Sequence, residues 1–312
     1  MIATPVRNIN SRNYSYQSAL AASDKINWRV EDIIGPDKPL NFELPFMPES
    51  LARTSALQFL TPVERLKLNQ IRGNSYLNIF GVVEEFILPY ILDHARPVLD
   101  NDDYRTRALL KFAGEEAKHI HLFKYFREEF ERGFGISCAV IGPPSAIAKA
   151  VLAHDPLAVA LVILQIEWMT QAHYEGSVKD STTLDPQFKS LLRHHWLEES
   201  QHAKLDTLMV EALAADRTDA EIKKAIGEYA EIGAFIDGGL KQQVEFDLDA
   251  FQRTTGRQLN SDERKQFIDV QLQANRWTYL GSGMTHPNFL DTVERLDPGA
   301  RKQIEGMSPM FS

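Results

Sequence analysis

Two short stretches of the chain share one pattern, a glutamate followed three residues later by a histidine. The first pairs Glu116 with His119, and the second pairs Glu199 with His202. Residues three apart lie on the same face of an α-helix, so each pair can bring a carboxylate and an imidazole to one metal ion. A single Glu-x-x-His pair arises easily by chance. Two pairs, each inside a long amphipathic pattern, indicate a metal site.

Further glutamates interrupt strongly apolar segments. Glu167 lies in LAVALVILQIEWM, and the adjacent Glu84 and Glu85 lie in NIFGVVEEFILPYIL. A buried carboxylate is costly unless it is paired, protonated or bound to metal. One glutamate from each of two helices, with Glu-x-x-His from each of two others, is the ligand arrangement of ferritin-like dinuclear carboxylate bundles.

Spacing and helical phase favour Glu84 over Glu85 as the inward residue. Glu84 precedes Glu116 by 32 residues (116 − 84), and Glu167 precedes Glu199 by the same 32 (199 − 167). Helical periodicity also gives Glu84 an apolar face. The residues on that face are Leu77, Phe80, Ile87, Leu88 and Ile91.

A third histidine shares the face of the second pair. His195 stands four residues before Glu199 and seven before His202. This H-x-x-x-E-x-x-H run resembles the p-aminobenzoate N-oxygenase family, ferritin-like enzymes whose dinuclear iron site has three histidines. The resemblance covers roughly 75–205 by motif, and the overall length and extra C-terminal helices are similar.

The resemblance implies an oxygenase that uses two iron ions and O2 to oxidise the nitrogen of a small biosynthetic amine to hydroxylamine, nitroso or nitro. Because no flavin or nicotinamide motif is present, an external electron donor or reductase is implied. Manganese in one metal position stays open. Glu116 and Glu199 are the expected bridges. The implied metal ligands are Glu84, Glu116, His119, Glu167, His195, Glu199 and His202.

Substrate residues are matched less well than metal ligands. Tyr76, two turns before Glu84, is similar to a pocket tyrosine of the family. Gln171, one turn after Glu167, stands where a different polar residue is expected, so the substrate stays open. The segment from Arg276 to Pro287 also resembles the family, without an assigned role.

Other interpretations compete with this one. A related bundle enzyme, a hydroxylase or desaturase, would act on carbon. A ferritin would store iron, although storage bundles are short and this chain has 98 residues after position 214 (312 − 214). Any one buried glutamate could be a protonated or ion-paired core residue, and His195 could hydrogen-bond a ligand carboxylate instead of binding metal. A non-catalytic helical binding protein is a further alternative.

The elements that position these residues are predicted to be helices, since no segment alternates with period two. We expect an N-terminal arm at 1–60 and one helical, ferritin-like domain at 61–312, with the metal-binding core at about 75–214 and extra helices at both ends. The predicted helices span 61–73, 75–94, 102–132, 155–176, 185–215, 219–254 with a break at Gly238-Gly239, and 261–280.

Composition limits the partners. The net charge of −9 on 312 residues argues against general affinity for nucleic acid or an anionic membrane surface. Cys138 is the only cysteine, which rules out an intrachain disulfide and cysteine-rich zinc clusters. The N-terminus lacks a secretory h-region, and the segment 157–169 is too short to span a membrane. We therefore expect a cytoplasmic protein, with a homodimer as one open arrangement.

Overall fold

The computed structural model describes residues 12–312, and the regular structure of this range is helical apart from one isolated β-bridge between Gly35 and Lys38. This confirms the all-α prediction. The α-helices are α1 (Tyr16–Ser23), α2 (Val30–Ile33), α3 (Glu49–Ala52), α4 (Pro62–Ala95), α5 (Asp103–Phe134), α6 (Pro144–Val151), α7 (Pro156–His173), α8 (Pro186–Ala214), α9 (Asp219–Thr255), α10 (Ser261–Arg276), α11 (Ser282–Met284), α12 (Pro287–Leu296) and α13 (Pro298–Met307).

A four-helix bundle forms the centre of the molecule. Helix α4 packs along α5, and α7 packs along α8. Helix α9 covers α4 and α7 on one side, while α1 packs on α5 and α8 on another. The architecture is therefore a ferritin-like bundle with added N- and C-terminal helices, as the sequence predicted.

Each of the four bundle helices begins directly after a capping residue. Each cap accepts a hydrogen bond from a backbone N–H of the first turn, which satisfies a donor that the helix itself cannot pair. The caps are Thr61, Asp102, Asp155 and Asp185. Because three of them precede proline, whose fixed φ suits the first helical position, both the sequence and the structure place these ends within one residue.

Gly73 does not end a helix, contrary to the two separate helices predicted at 61–73 and 75–94. Helix α4 passes through it unbroken. A Cβ at this position would lie 2.8 Å from Cβ of Phe46, closer than real contacts allow. The glycine therefore lets the segment around Phe46 pack directly on the helix.

The break predicted at Gly238-Gly239 is also wrong, since α9 is continuous there. Helix-interior glycine costs only about 1 kcal/mol relative to alanine, which the packing of a long helix can offset. Gly239 faces Ile141 in the connection between α5 and α6. The segment between α5 and α7 contains the short helix α6.

The segment predicted as an N-terminal arm contains three short α-helices and one turn of 3-10 helix within its described part, 12–60. Its apolar side chains, among them Leu20, Trp28 and Phe46, are buried against the bundle. They are spaced too irregularly for a periodicity analysis to find. The division into an arm and a single domain stays a prediction.

One stretch, Pro62–Val98, is long and apolar enough to cross a membrane by length and composition. In the structure 72% of its most apolar 18-residue segment is buried inside the protein. A core helix of a bundle has the same properties, so this feature agrees with the position of α4 at the centre of the fold.

Candidate metal centre

All seven predicted ligands come together in the middle of the bundle. They extend from α4, α5, α7 and α8, and none is more than 2% exposed. On α4 the predicted inward face is correct, since the side chain of Glu84 is only 2% exposed while that of Glu85 is exposed. The apolar and acidic patterns of the sequence therefore predicted the interior faces of these helices.

Six of the seven side chains form two overlapping groups that could hold metal ions, with the ligand atoms of each group within 4.8 Å of one another. The first group is Glu84, His119, His195 and Glu199. The second group is Glu116, His119, Glu199 and His202. Glu199 and His119 belong to both groups, whereas Glu116, the other expected bridge, belongs only to the second.

In the first group two imidazoles face the same carboxylates. Nε2 of His195 lies 2.8 Å from Oε1 of Glu199 and 3.1 Å from Oε1 of Glu84. Nδ1 of His119 lies 3.1 Å from Oε1 of Glu199 and 3.7 Å from Oε2 of Glu84. His195 thus points its Nε2 into the cluster, as a ligand there must.

In the second group His202 faces two glutamates. Its Nδ1 lies 2.9 Å from Oε1 of Glu116 and 3.3 Å from Oε2 of Glu199. The two oxygens of Glu199 therefore face different imidazoles, Oε1 toward His119 and His195 and Oε2 toward His202. With this orientation Glu199 would be able to contribute a donor atom to each group if metal ions were bound.

Glu167 lies next to the two groups without being part of either. It shares a hydrogen bond with Glu199, and burial, followed by the charge of Glu199, raises its pKa well above the usual value. The raised pKa favours the protonated form of Glu167, while the low pKa of Glu199 favours its ionised form. Its predicted ligand role requires that this proton be displaced by a cation.

Buried polar atoms that lack a hydrogen bond show whether these side chains are suited to binding metal ions. Burying a carboxylate oxygen without a partner is costly, so such atoms are rare in folded proteins. Within residues 12–312 several of them collect in this cluster. No hydrogen bond of suitable geometry reaches Oε2 of Glu84, either oxygen of Glu116, Oε2 of Glu167, Oε1 of Glu199 or Nδ1 of His119, although imidazole nitrogens lie close to Oε1 of Glu116 and Oε1 of Glu199. Four ionised glutamates would balance two divalent cations, and mixed imidazole and carboxylate donors suit iron or manganese.

Two glutamates that do not face the cluster orient its histidines. Nε2 of His119 lies 2.9 Å from Oε2 of Glu198 on α8, and Nε2 of His202 lies 3.0 Å from Oε2 of Glu115 on α5. When each Nε2–H donates to its carboxylate, the Nδ1 lone pair points into the cluster. Carboxylate partners of this kind fix the tautomer and ring orientation of metal-binding histidines.

The N-terminal segment supports these two glutamates, which the sequence did not predict. Ser23 of α1 donates to Glu115, and the hydrogen bonds from His202 and Ser23 lower the pKa of Glu115 against the opposing effect of burial. Lys118 pairs with Glu198, and its ammonium lies 3.8 Å from the ring centroid of Trp28.

Asp206 is another acid that the sequence analysis missed. It is 1% exposed, and burial raises its pKa well above the usual value. The charge of Glu199 raises this pKa further, while the charge of His202 lowers it. Its distance of four residues from His202 and seven from Glu199 places it on their face of α8. This spacing could have identified Asp206 from the sequence as a further acid on the face of the predicted ligands.

The two weakly predicted substrate residues lie in different surroundings. Tyr76 is 1% exposed and lines a small cavity with His195 and His173. Burial lowers the pKa of His173 to about 3, so this imidazole is neutral. Gln171 instead donates its amide to the carbonyl oxygen of Trp196 at 3.3 Å. Its role in substrate binding stays a prediction.

The neighbouring glutamates of α4 give a direct test of the ligand set. Glu84→Ala is expected to lower the metal content from two ions per chain to about one, because it removes a donor of the first group only. Glu85→Ala, the matched control, should keep both ions because its side chain is exposed. Elemental analysis of iron-replete preparations measures this, and the reverse result would show that Glu84 is not a ligand.

Comparisons with known proteins give limited similarity. No protein-family model matches the chain, and no curated protein matches it. Among solved structures, an R2-like ligand-binding oxidase with aerobically reconstituted Mn/Fe cofactor is 13% identical, with a TM-score of 0.45 over 85% of this chain and 93% of that one. Substituted variants of such an oxidase are similar. One with Mn/Fe is 14% identical with a TM-score of 0.47, over 85% of this chain and 97% of that one. One with Fe/Fe is 13% identical with a TM-score of 0.44, over 85% and 93%. At these values we draw nothing about this chain from the likeness.

Proposed function

We propose that the chain is an O2-dependent oxidase with two iron ions in the bundle, and that it oxidises the nitrogen of a small amine. The observation that carries the proposal is the pair of overlapping His/Glu groups that share Glu199 and His119. The proposed ligands are the seven predicted residues, and Glu167 joins them by exchanging its proton for a metal bond. Two ferrous ions, when bound, supply electrons for the activation of O2.

The chain's own residues prepare this centre. Glu115 and Glu198 fix the orientation of His202 and His119. Phe80 and Phe123 pack their rings against His195, with centroids 5.4 Å and 5.0 Å from that of the imidazole. This apolar wall keeps water away from one side of the centre, which protects an oxidising site from side reactions.

The choice of nitrogen as the reacting atom rests on the run from His195 to His202 and its resemblance to the N-oxygenases. For the first oxidation, an amine, one O2, two electrons and two protons give a hydroxylamine and one water. One oxygen atom enters the N–O bond, and the other leaves as water. The two electrons that complete each turnover come from an external reductase or small reductant.

The test is single-turnover oxidation. Iron-loaded, chemically reduced protein is mixed with isotopically labelled O2 and a panel of amines, and the products are identified by mass spectrometry. We expect a hydroxylamine that carries one labelled oxygen atom, with the second atom of O2 released as water. The Glu85→Ala protein serves as a positive control because its side chain lies outside the centre.

Three other outcomes would overturn the proposal. A label on carbon would identify the chain as a hydroxylase, and unlabelled, dehydrogenated carbon would identify a desaturase. Accumulation of large ferric cores inside a cage-sized oligomer, with no organic product, would identify iron storage.

A further inference from the structure

The outer side of helix α5 carries an unbroken line of exposed residues. The inner side of this helix holds Glu116 and His119, whereas the members of the line recur every three or four residues, as positions on one face of an α-helix do. The line extends over ~44 Å, nearly the whole helix. We call it the α5 face, and its members are Asp103, Arg107, Leu110, Gly114, Ala117, His121, Tyr125, Glu128 and Arg132.

The middle of the α5 face has no acidic or basic side chain. Leu110 and Tyr125 are 47% and 38% exposed, and the small residues Gly114 and Ala117 lie between them. His121 packs its ring edge-on against that of Tyr125, with the ring centroids 4.5 Å apart. Single exposed apolar residues are common on protein surfaces. Here two large ones share one line with small residues between them, and small residues let a second helix approach closely.

The two ends of the α5 face carry charges that cancel. Asp103 and Arg107 lie at the start of the helix, and Glu128 and Arg132 lie near its end. The face therefore has two acids and two bases, in a chain whose net charge is −9. Two copies of this chain repel each other through their net charge, and a face without net charge is where that repulsion is smallest.

The order of residues along the α5 face is complementary to itself. We consider a second α5 laid antiparallel on the first, with the two-fold axis passing between Ala117 and Lys118. An apolar side chain then faces an aromatic one, a glycine faces a ring, and each charge faces the opposite charge. Leu110, Gly114, Arg107 and Asp103 face Tyr125, His121, Glu128 and Arg132 of the partner subunit, in that order.

Other arrangements of the two helices lose this complementarity. A displacement by four residues, about one turn, places Asp103 against Glu128 of the partner subunit in one direction. In the other direction it places Arg107 against Arg132 of the partner subunit. A parallel two-fold pair would place every charge against its own copy. Like charges that face each other across an interface are unfavourable, so the charges select the antiparallel arrangement.

We infer that the α5 face binds the α5 face of a second copy of this chain, with the two helices antiparallel, so that the protein is a homodimer. A two-fold interface uses the same patch on both subunits, and every contact occurs twice. Each α5 then carries metal ligands on its inner side and the partner subunit on its outer side. The inference uses no property of the metal centre, so it stands or falls independently of the proposed function.

The first measurement is the mass of the iron-loaded full chain in solution by sedimentation equilibrium. We expect twice the chain mass of 35.4 kDa at micromolar protein concentration. A mass of one chain throughout this range would overturn the inference and would leave the α5 face to a different partner. The variants below show whether a dimer uses this face.

Two glycines give a matched pair of variants. Gly114 and Gly227 are both exposed within long helices, and a Cβ at either position meets nothing within 4 Å in the single chain. Replacing either glycine favours the helix. Gly114→Trp adds a side chain where the two helices approach closely, so we expect dimerisation to weaken at least about tenfold. Gly227→Trp should dimerise as the unchanged chain does. If Gly114→Trp also dimerised normally, the interface would lie elsewhere.

Charge reversal tests which residues face each other. Arg107→Glu and Glu128→Arg each place like charges opposite each other twice in the dimer, so each should weaken dimerisation, and more so at low salt. The double variant should restore it. Arg107 also pairs with Asp103 of its own chain at 3.5 Å, but the double variant does not rebuild that exposed pair. A double variant no better than the single ones would therefore overturn the antiparallel pairing.

A cysteine cross-link tests the position of the two-fold axis, in a Cys138→Ser chain that has no other cysteine. Ala117 lies beside the axis, so Ala117→Cys should form a disulfide between subunits on mild oxidation. This bond requires Cα atoms about 4.4–6.8 Å apart. Lys124 lies two turns away from the axis, which separates it from its own copy by about 20 Å, so Lys124→Cys should not cross-link. Absence of the Ala117→Cys cross-link, or an equally efficient one from Lys124→Cys, would overturn the inferred interface.

Discussion

Glu199→Ala is expected to lose both metal ions, so that iron falls from close to two per chain to well below one. Glu199 is the carboxylate that belongs to both groups, and its two oxygens face three different imidazoles. Removing it takes a donor from each ion and a negative charge from the centre. Elemental analysis and iron absorption spectra measure the loss.

Glu211→Ala is the matched control, since this glutamate lies on the same helix, α8, outside both groups. It should keep both ions. If Glu199→Ala also kept two ions with an unchanged spectrum, the shared position of Glu199 would be irrelevant to metal binding, and the dinuclear proposal would fail.

His195→Ala is expected to suppress amine oxidation by at least about 10- to 100-fold, the loss typical even for the partners of metal ligands. Nε2 of this residue faces Glu84 and Glu199 at 3.1 Å and 2.8 Å. Its loss removes a neutral nitrogen donor and leaves a position open to water. X-ray absorption spectroscopy should count one nitrogen donor fewer, alongside single-turnover product analysis.

The neighbouring histidine supplies the control. Nδ1 of His194 lies 2.7 Å from the backbone carbonyl oxygen of Ser190 and outside both groups, so His194→Ala should keep the spectrum and the activity. If His195→Ala also kept iron content, spectrum and amine oxidation, the site would be a dinuclear centre with two histidines. The resemblance to the N-oxygenases would then lose its basis.

Residues on the interior faces were predictable because helical periodicity encodes them directly. Glu84 and His195 share their faces with apolar neighbours at steps of three and four, and the structure buries both. The continuity of α4 was not predictable, because Gly73 is explained by a close contact with Phe46, which is 27 residues away in the chain. Glycine in a sequence does not reveal whether it ends a helix or permits close packing.

The residues that orient the centre escaped prediction for a related reason. Glu115 and Glu198 stand one position before Glu116 and Glu199, so each lies about 100° around its helix from the face of the predicted ligands. Their contacts are with histidines of the opposite helix, 87 and 79 residues away. Ser23 and Trp28 belong to a segment without regular periodicity.

The Glu-Glu-x-x-His stretches of α5 and α8 are mutually dependent. In each stretch the second glutamate and the histidine face the metal centre, while the first glutamate holds the histidine of the other stretch. The carboxylate that orients each imidazole therefore comes from the other helix pair, α4 with α5 or α7 with α8. Neither pair alone can form its part of the metal site in the correct orientation. Metal ions can therefore bind with high affinity only after the two helix pairs have packed together. Correct iron uptake would then report that the whole bundle has assembled, and a folding intermediate would be protected from binding a redox-active metal too early.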